Sequence, residues 1–289
     1  MNSGKNLVRL AAAVMLAGIV GGCTHDRPIT SAPQSDPTES TRLRGGPPRL
    51  PHGRASVAWV GDFHTEAMQR WMRGRSQFAL LGREDACVRA LQLARGFLPD
   101  VRRATGHATE GLDAAFERAI KGASVRAGCD EPAEPPSVLP ASAFAALVTA
   151  DDSVTGAYEQ FIPQMENALG SATSPEQVAA AADHVLSQAS SLPEPDFEVL
   201  AAVASLESSS AWYWYEYGVA GTDGGTQPML VSASAEFSWL GFAKADLEGA
   251  IAGVGLARAV GAVHPYLLAA ALFGGAAIGS GIYAYQNMI

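Results

Sequence analysis

The end of the chain places small side chains at every fourth position. Ala245, Gly249, Gly253, Ala257 and Gly261 form one series, and Ala271, Gly275 and Gly279 form a second after His264-Pro265. Residues four apart share one face of an α-helix. Small side chains at that spacing leave a groove into which a second backbone can come close. The pattern therefore predicts a helical hairpin over residues 239–289, turning at His264-Pro265. Gly249, Gly253, Gly261, Gly275 and Gly279 are its expected packing residues. Gly281 falls off the stripe and is expected to tolerate a larger side chain.

The same segment carries no Asp, Glu, Lys or Arg from Ala259 to Ile289. Tyr266 to Tyr285, as a helix, is about 30 Å long, enough to cross hydrocarbon. Length alone does not decide insertion. Six Leu, Ile and Phe residues lie in that span, contributing about 3 kcal/mol together. Four glycines, one serine and three tyrosines work against that sum. A marginal inserter is compatible with export, because a strongly apolar helix would be halted during translocation. Three readings stay open: a membrane-associated hairpin, a hairpin packed in a soluble domain, or an oligomerising segment.

The N-terminus supplies the export signal. Lys5 and Arg9 precede an uncharged run from Leu10, which ends at Val20-Gly21-Gly22-Cys23. A basic start, a short apolar stretch and small residues before the cut mark residues 1–22 as a signal peptide. The Cys directly after two small residues resembles a lipobox, in which Cys23 receives the lipid (palmitate and related chains) and becomes the mature N-terminus. The alternative is an ordinary secretory peptide with a cysteine nearby. Thr24 after the Cys suits onward transport to an outer membrane where the cell has one. Residues 23–54 are rich in proline (Pro28, Pro33, Pro37, Pro47, Pro48, Pro51) and poor in large apolar residues. Such a stretch reads as a disordered tether.

Removing the leader leaves 267 of 289 residues and shifts the formal net charge from −9 to −11, because Lys5 and Arg9 go with it. An acidic balance argues against nucleic acid as a partner, since phosphates recruit Lys and Arg. It argues equally against broad docking on anionic lipid. The partners expected are membrane lipid, through the acyl anchor and the hairpin, and an envelope protein. Cys87 and Cys129 remain after Cys23 is acylated, and export permits a disulfide between them. The alternative is a buried free thiol at Cys87. The cysteines and histidines have no metal-ligand spacing, so neither metal nor cofactor is expected.

Helical period dominates residues 55–238. A helix is expected from Thr65 to Arg73 with Thr65 as its N-cap. Glu84–Leu98 places Cys87, Leu91, Ala94 and Leu98 on one face, and Gly111–Lys121 does the same with Leu112, Phe116 and Ile120. Residues 129–140, with Pro132, Pro135, Pro136 and Pro140, are a loop or domain break. Pro163 kinks or opens a helix. Ser174-Pro175-Glu176-Gln177 is a strong helix start, and a long helix follows from Asp196. No stretch alternates as a strand would, so the fold class is all-α: a helical bundle with a C-terminal Gly/Ala-rich hairpin.

Candidate chemistry is sparse. Asp62 and His64 could form a proton-transfer pair, although a histidine bonded near a helix start is commoner. Trp212 to Tyr217 is a run of aromatics broken by Glu216. It reads as an interfacial belt, a stacking platform for sugars, or the aromatic end of a core helix. Ser208-Ser209-Ser210 lacks the elbow motif of serine hydrolases. No catalytic residue is assigned.

Three motifs together resemble a diffuse group of uncharacterised secreted bacterial proteins. They are Gly61-Asp62-Phe63-His64-Thr65, Ser210-Ala211-Trp212-Tyr213-Trp214, and Asp246-Leu247-Glu248-Gly249-Ala250-Ile251-Ala252-Gly253. That group shows G-x-x-H-N, S-x-x-Y-W and D-x-x-G-A-x-x-G in this order. Thr65 here replaces the Asn. The resemblance implies export and architecture rather than chemistry. The expectation is a cell-envelope lipoprotein acting as a non-enzymatic, membrane-associated interaction protein. A membrane-active, bacteriocin-like effector is the alternative, and an envelope hydrolase is less favoured.

Overall fold

A computed structural model describes residues 47–73, 82–106, 110–126, 128–129, 153–217, 238–259, 262 and 264–288. In chain order the helices are α1 (Trp59–Arg73), α2 (Arg83–Arg95), α3 (Leu98–Thr105), α4 (Glu110–Arg126), a 3-10 turn (Ala157–Phe161), α5 (Ile162–Ser171), α6 (Pro175–Gln188), α7 (Glu194–Tyr215), α8 (Trp239–Arg258) and α9 (Pro265–Met288). The fold is all-α, with no strand among the described residues. Cys23 and Gly261 lie outside them, as does almost all of the proline-rich stretch 129–140.

The bundle is built around α9. Leu268, Leu272, Phe273 and Ile278 are fully buried, each contributing roughly 1.5–3 kcal/mol by leaving water. Helices α8 and α4 cover α9 most extensively, and α1, α2 and α7 complete the cover. Phe273 is the aromatic centre, ringed by Trp59, Phe63, Phe97 and Phe116 at centroid distances of 5.4–6.4 Å. Between residues 265 and 286 the mean hydropathy reaches 1.7 over a window that is 89 % buried within the bundle. The composition that would suit a membrane here builds the protein's own core.

Helices α8 and α9 run antiparallel and touch through backbone. A Cβ added at Gly249 would lie 2.5 Å from the Gly275 carbonyl oxygen and 3.3 Å from Gly279 Cα. One added at Gly253 would collide with Ala271 and lie 3.3 Å from Gly275 Cα. One at Gly279 would lie 2.6 Å from the Ala245 carbonyl oxygen. Gly281 departs from the expectation of tolerance: a Cβ there would strike the Trp71 indole, 2.8 Å from Cζ2. The stripe seen in sequence covers one face, whereas α9 is surrounded. Gly274 likewise admits α4, through Ile120 and Phe116.

Local signals explain most of the ends. The Ser174 hydroxyl accepts from Gln177 N at 3.4 Å, while the Gln177 side chain accepts from Thr173 N at 2.8 Å. Pro163 opens α5 rather than kinking it. Two boundaries differ from expectation. Helix α1 begins at Trp59, so Thr65 lies in its interior and is no N-cap. Gly61 does not stop that helix; it lets α7 approach, and a Cβ there would lie 2.6 Å from the Ser205 carbonyl oxygen. The helix predicted over 84–98 ends at Arg95, and a separate α3 starts with Pro99 in its first turn.

Cys87 and Cys129 form a disulfide with a Cα–Cα distance of 5.8 Å, linking α2 to the residues that follow α4. Residues 47–54, which composition assigns to the tether, lie on the bundle through polar contacts. His52 N and Nδ1 stand 2.7 and 2.8 Å from the two Asp183 carboxylate oxygens, and Arg54 pairs with Glu194 at 3.0 Å.

Candidate functional site

The three sequence motifs converge on one buried polar cluster. His64 comes from α1, Ser210 and Trp214 from α7, Asp246 from α8 and Ser280 from α9; all five are 0 % exposed. Ser210 lies one helical turn before Trp214, so both reach the same carboxylate. The Asp246 Oδ2 atom accepts from the Ser210 hydroxyl and, at 3.1 Å, from Trp214 Nε1. His64 Nε2 stands 3.1 Å from the same oxygen and 3.3 Å from the Ser280 hydroxyl. The cluster thus ties α1, α7, α8 and α9 together inside an apolar core. Trp214 also stacks on Phe242 with centroids 4.0 Å apart.

The residue types are those of a serine hydrolase, but the arrangement is not. A relay needs the carboxylate on one ring nitrogen of the histidine and the nucleophile on the other. Here Asp246 and Ser280 both face Nε2, and Nδ1 has no hydrogen-bond partner. Ser210 donates to the carboxylate rather than to the histidine. The Ser210 hydroxyl, the Trp214 indole N–H and His64 Nε2 thus all converge on one carboxylate oxygen. Asp246 Oδ1 is buried without a partner.

The expected pairing of Asp62 with His64 is not formed. Two residues apart on a helix, they point to different sides: His64 into the core, Asp62 outward. Asp62 lines a surface cavity of about 630 Å³ between the segment 47–58 and helices α1 and α7. No cluster of three metal-ligating side chains occurs among the described residues. The aromatic run divides: Tyr213 and Trp214 are buried, while Trp212, Tyr215 and Tyr217 are half-buried at the end of α7.

Sequence reasoning did not join Asp246 and Ser280 to His64. Asp246 carried a signal, as an acid on the small-residue helix four residues after Phe242. Ser280 carried none, being one small residue among many. Glu207 was also missed. It is 1 % exposed, with both carboxylate oxygens unpartnered. Burial, reinforced by the charge of Glu166, holds its acid well above the usual carboxylate range. In comparisons with known proteins, no family model, curated protein or solved structure gives a significant match to this chain.

Proposed function

We propose that the chain is a bacterial cell-envelope lipoprotein that works by non-enzymatic binding. It is held to a membrane through acylated Cys23 and presents its helical bundle to an envelope protein. The observation that carries this reading is the 0 % exposure of His64, Ser210 and Asp246. The side chains best able to do chemistry hold helices together and meet no substrate. The convergence of the three motifs on one cluster supports kinship with the secreted bacterial group they resemble. Growth on labelled fatty acid tests the anchor: label should enter the protein, and Cys23→Ser should abolish it. Acylation that persists in the variant rejects the reading. His64→Ala should cost roughly 3–5 kcal/mol of stability by stranding Asp246. A folded His64→Ala protein that has lost an enzymatic activity would favour a hydrolase instead.

A membrane-active effector is the second reading, favoured by the length and apolarity of α9. Since α9 is wrapped by the bundle, insertion requires the bundle to open. Dye leakage from vesicles of phosphatidylethanolamine and phosphatidylglycerol tests it: leakage supports the effector, and intact vesicles reject it.

A further inference from the structure

The cavity of about 630 Å³ beside α1 and α7 falls within the size range of ligand sites. One wall is the end of the stretch that composition assigns to the tether, Pro47 to Arg54, and the other is formed by Asp62 of α1 and Ser205, Ser208 and Ser209 of α7. Most polar groups around it are already engaged. Arg54 pairs with Glu194 and lies over Phe197, and the Ser205 hydroxyl donates to the Ala58 carbonyl.

Three side chains on the lining are not engaged. Arg49 and Asp62 are exposed, and Ser209 is only 5 % exposed. Among the described residues, none of the three side chains makes a hydrogen bond or ion pair. The Arg49 guanidinium and the Asp62 carboxylate therefore line one cavity without pairing with each other. The Ser209 hydroxyl lines the cavity and makes no hydrogen bond among the described residues. The cavity thus offers a cation, an anion and a hydroxyl, all unspent.

We propose that this cavity binds a small zwitterion carrying a primary ammonium and an anionic group. The ammonium pairs with Asp62, the anionic group with Arg49, and Ser209 hydrogen-bonds between them. A guanidinium suits a carboxylate or a phosphate equally, because its fork matches both. Free amino acids, short peptides and phosphoethanolamine headgroups share this chemistry. The site lies outside the His64–Asp246 cluster and needs no acyl anchor, so it stands or falls apart from the lipoprotein reading.

The test is calorimetric titration of the full mature protein with two probes, trialanine and glycerophosphoethanolamine. Saturable binding of trialanine identifies a peptide site, and binding of glycerophosphoethanolamine identifies a headgroup site. Capping trialanine by N-acetylation should weaken binding about tenfold in wild type and little in Asp62→Asn, because both changes remove one pair. C-terminal amidation should behave the same way against Arg49→Gln. Ser209→Val should also weaken binding, and melting curves should show all three variants folded. The proposal is overturned if neither probe binds at about 10 mM, beyond the millimolar range of weak ligands. It is equally overturned if binding ignores Asp62→Asn and Arg49→Gln.

Discussion

Glu207 and Asp196 both bring a carboxyl group into the interior from α7, with opposite outcomes. Asp196 is 0 % exposed and fully engaged: Gly156 N, Thr155 N and the Thr155 hydroxyl donate to it at 2.7–3.0 Å. It fastens the start of the 3-10 turn to the first turn of α7. Glu207 has no such donors, and burial raises its acid well above the ordinary value of 4.5. The sign of the pH effect follows. Below about pH 4.5 both folded and unfolded chains hold the proton, and the group does not oppose folding. As pH rises further, the unfolded chain ionises freely while the folded chain resists, so stability falls. Glu207→Gln should flatten that decline. Glu207→Met should also remove the unpartnered polar group and gain about 1–3 kcal/mol near pH 7. Urea denaturation across pH 4.5 to 8 checks both; parallel curves for wild type and Glu207→Gln would contradict the assignment.

At the scale of helices, the glycines of α8 and α9 have different neighbours, and each predicts its own response. Gly253 faces α9, whereas a Cβ at Gly255 meets nothing within 4 Å. Gly253→Leu should drive the pair apart and cost roughly 1–3 kcal/mol or more. Gly255→Leu should be neutral or stabilising by about 0.5–1 kcal/mol through helix propensity. Gly281→Leu should be as damaging as Gly253→Leu, because Trp71 fills its space. Thermal melting of the three variants checks the order. The same positions show what the sequence could disclose. A four-residue repeat reports one face of a helix, so Gly249, Gly253, Gly275 and Gly279 were legible. Gly281 was not, because its neighbour comes from α1, more than 200 residues away in the chain. The Ser174 cap was legible because its partners lie within three residues. The His64–Asp246 contact joins residues brought together only by tertiary packing, and pattern alone cannot supply it.

For the whole molecule, the decisive arrangement is a marginally membrane-compatible helix enclosed by a bundle and closed by one covalent link. The Cys87–Cys129 bond spans 42 residues and joins α2 to the chain just past α4, and both helices pack on α9. A cross-link over a loop of that length removes chain entropy from the unfolded state equivalent to roughly 4 kcal/mol. For a protein of this size the loss on reduction corresponds to a fall in Tm on the order of 10 °C. Its location adds a second consequence. Once α2 and α4 are no longer covalently joined, the cover over α9 is held by packing and by the half-buried Arg95–Glu117 ion pair between them, and its apolar surface becomes reachable by local opening. Reduced protein should therefore melt earlier and bind an apolar dye below its melting temperature, while oxidised protein should not. Cys87→Ala with Cys129→Ala should reproduce both effects without reductant. Lower Tm with no dye binding would assign the bond to the unfolded state alone. Early dye binding together with vesicle leakage would tie the membrane-active reading to a reducing trigger, since the helix that inserts is the one the bond keeps enclosed.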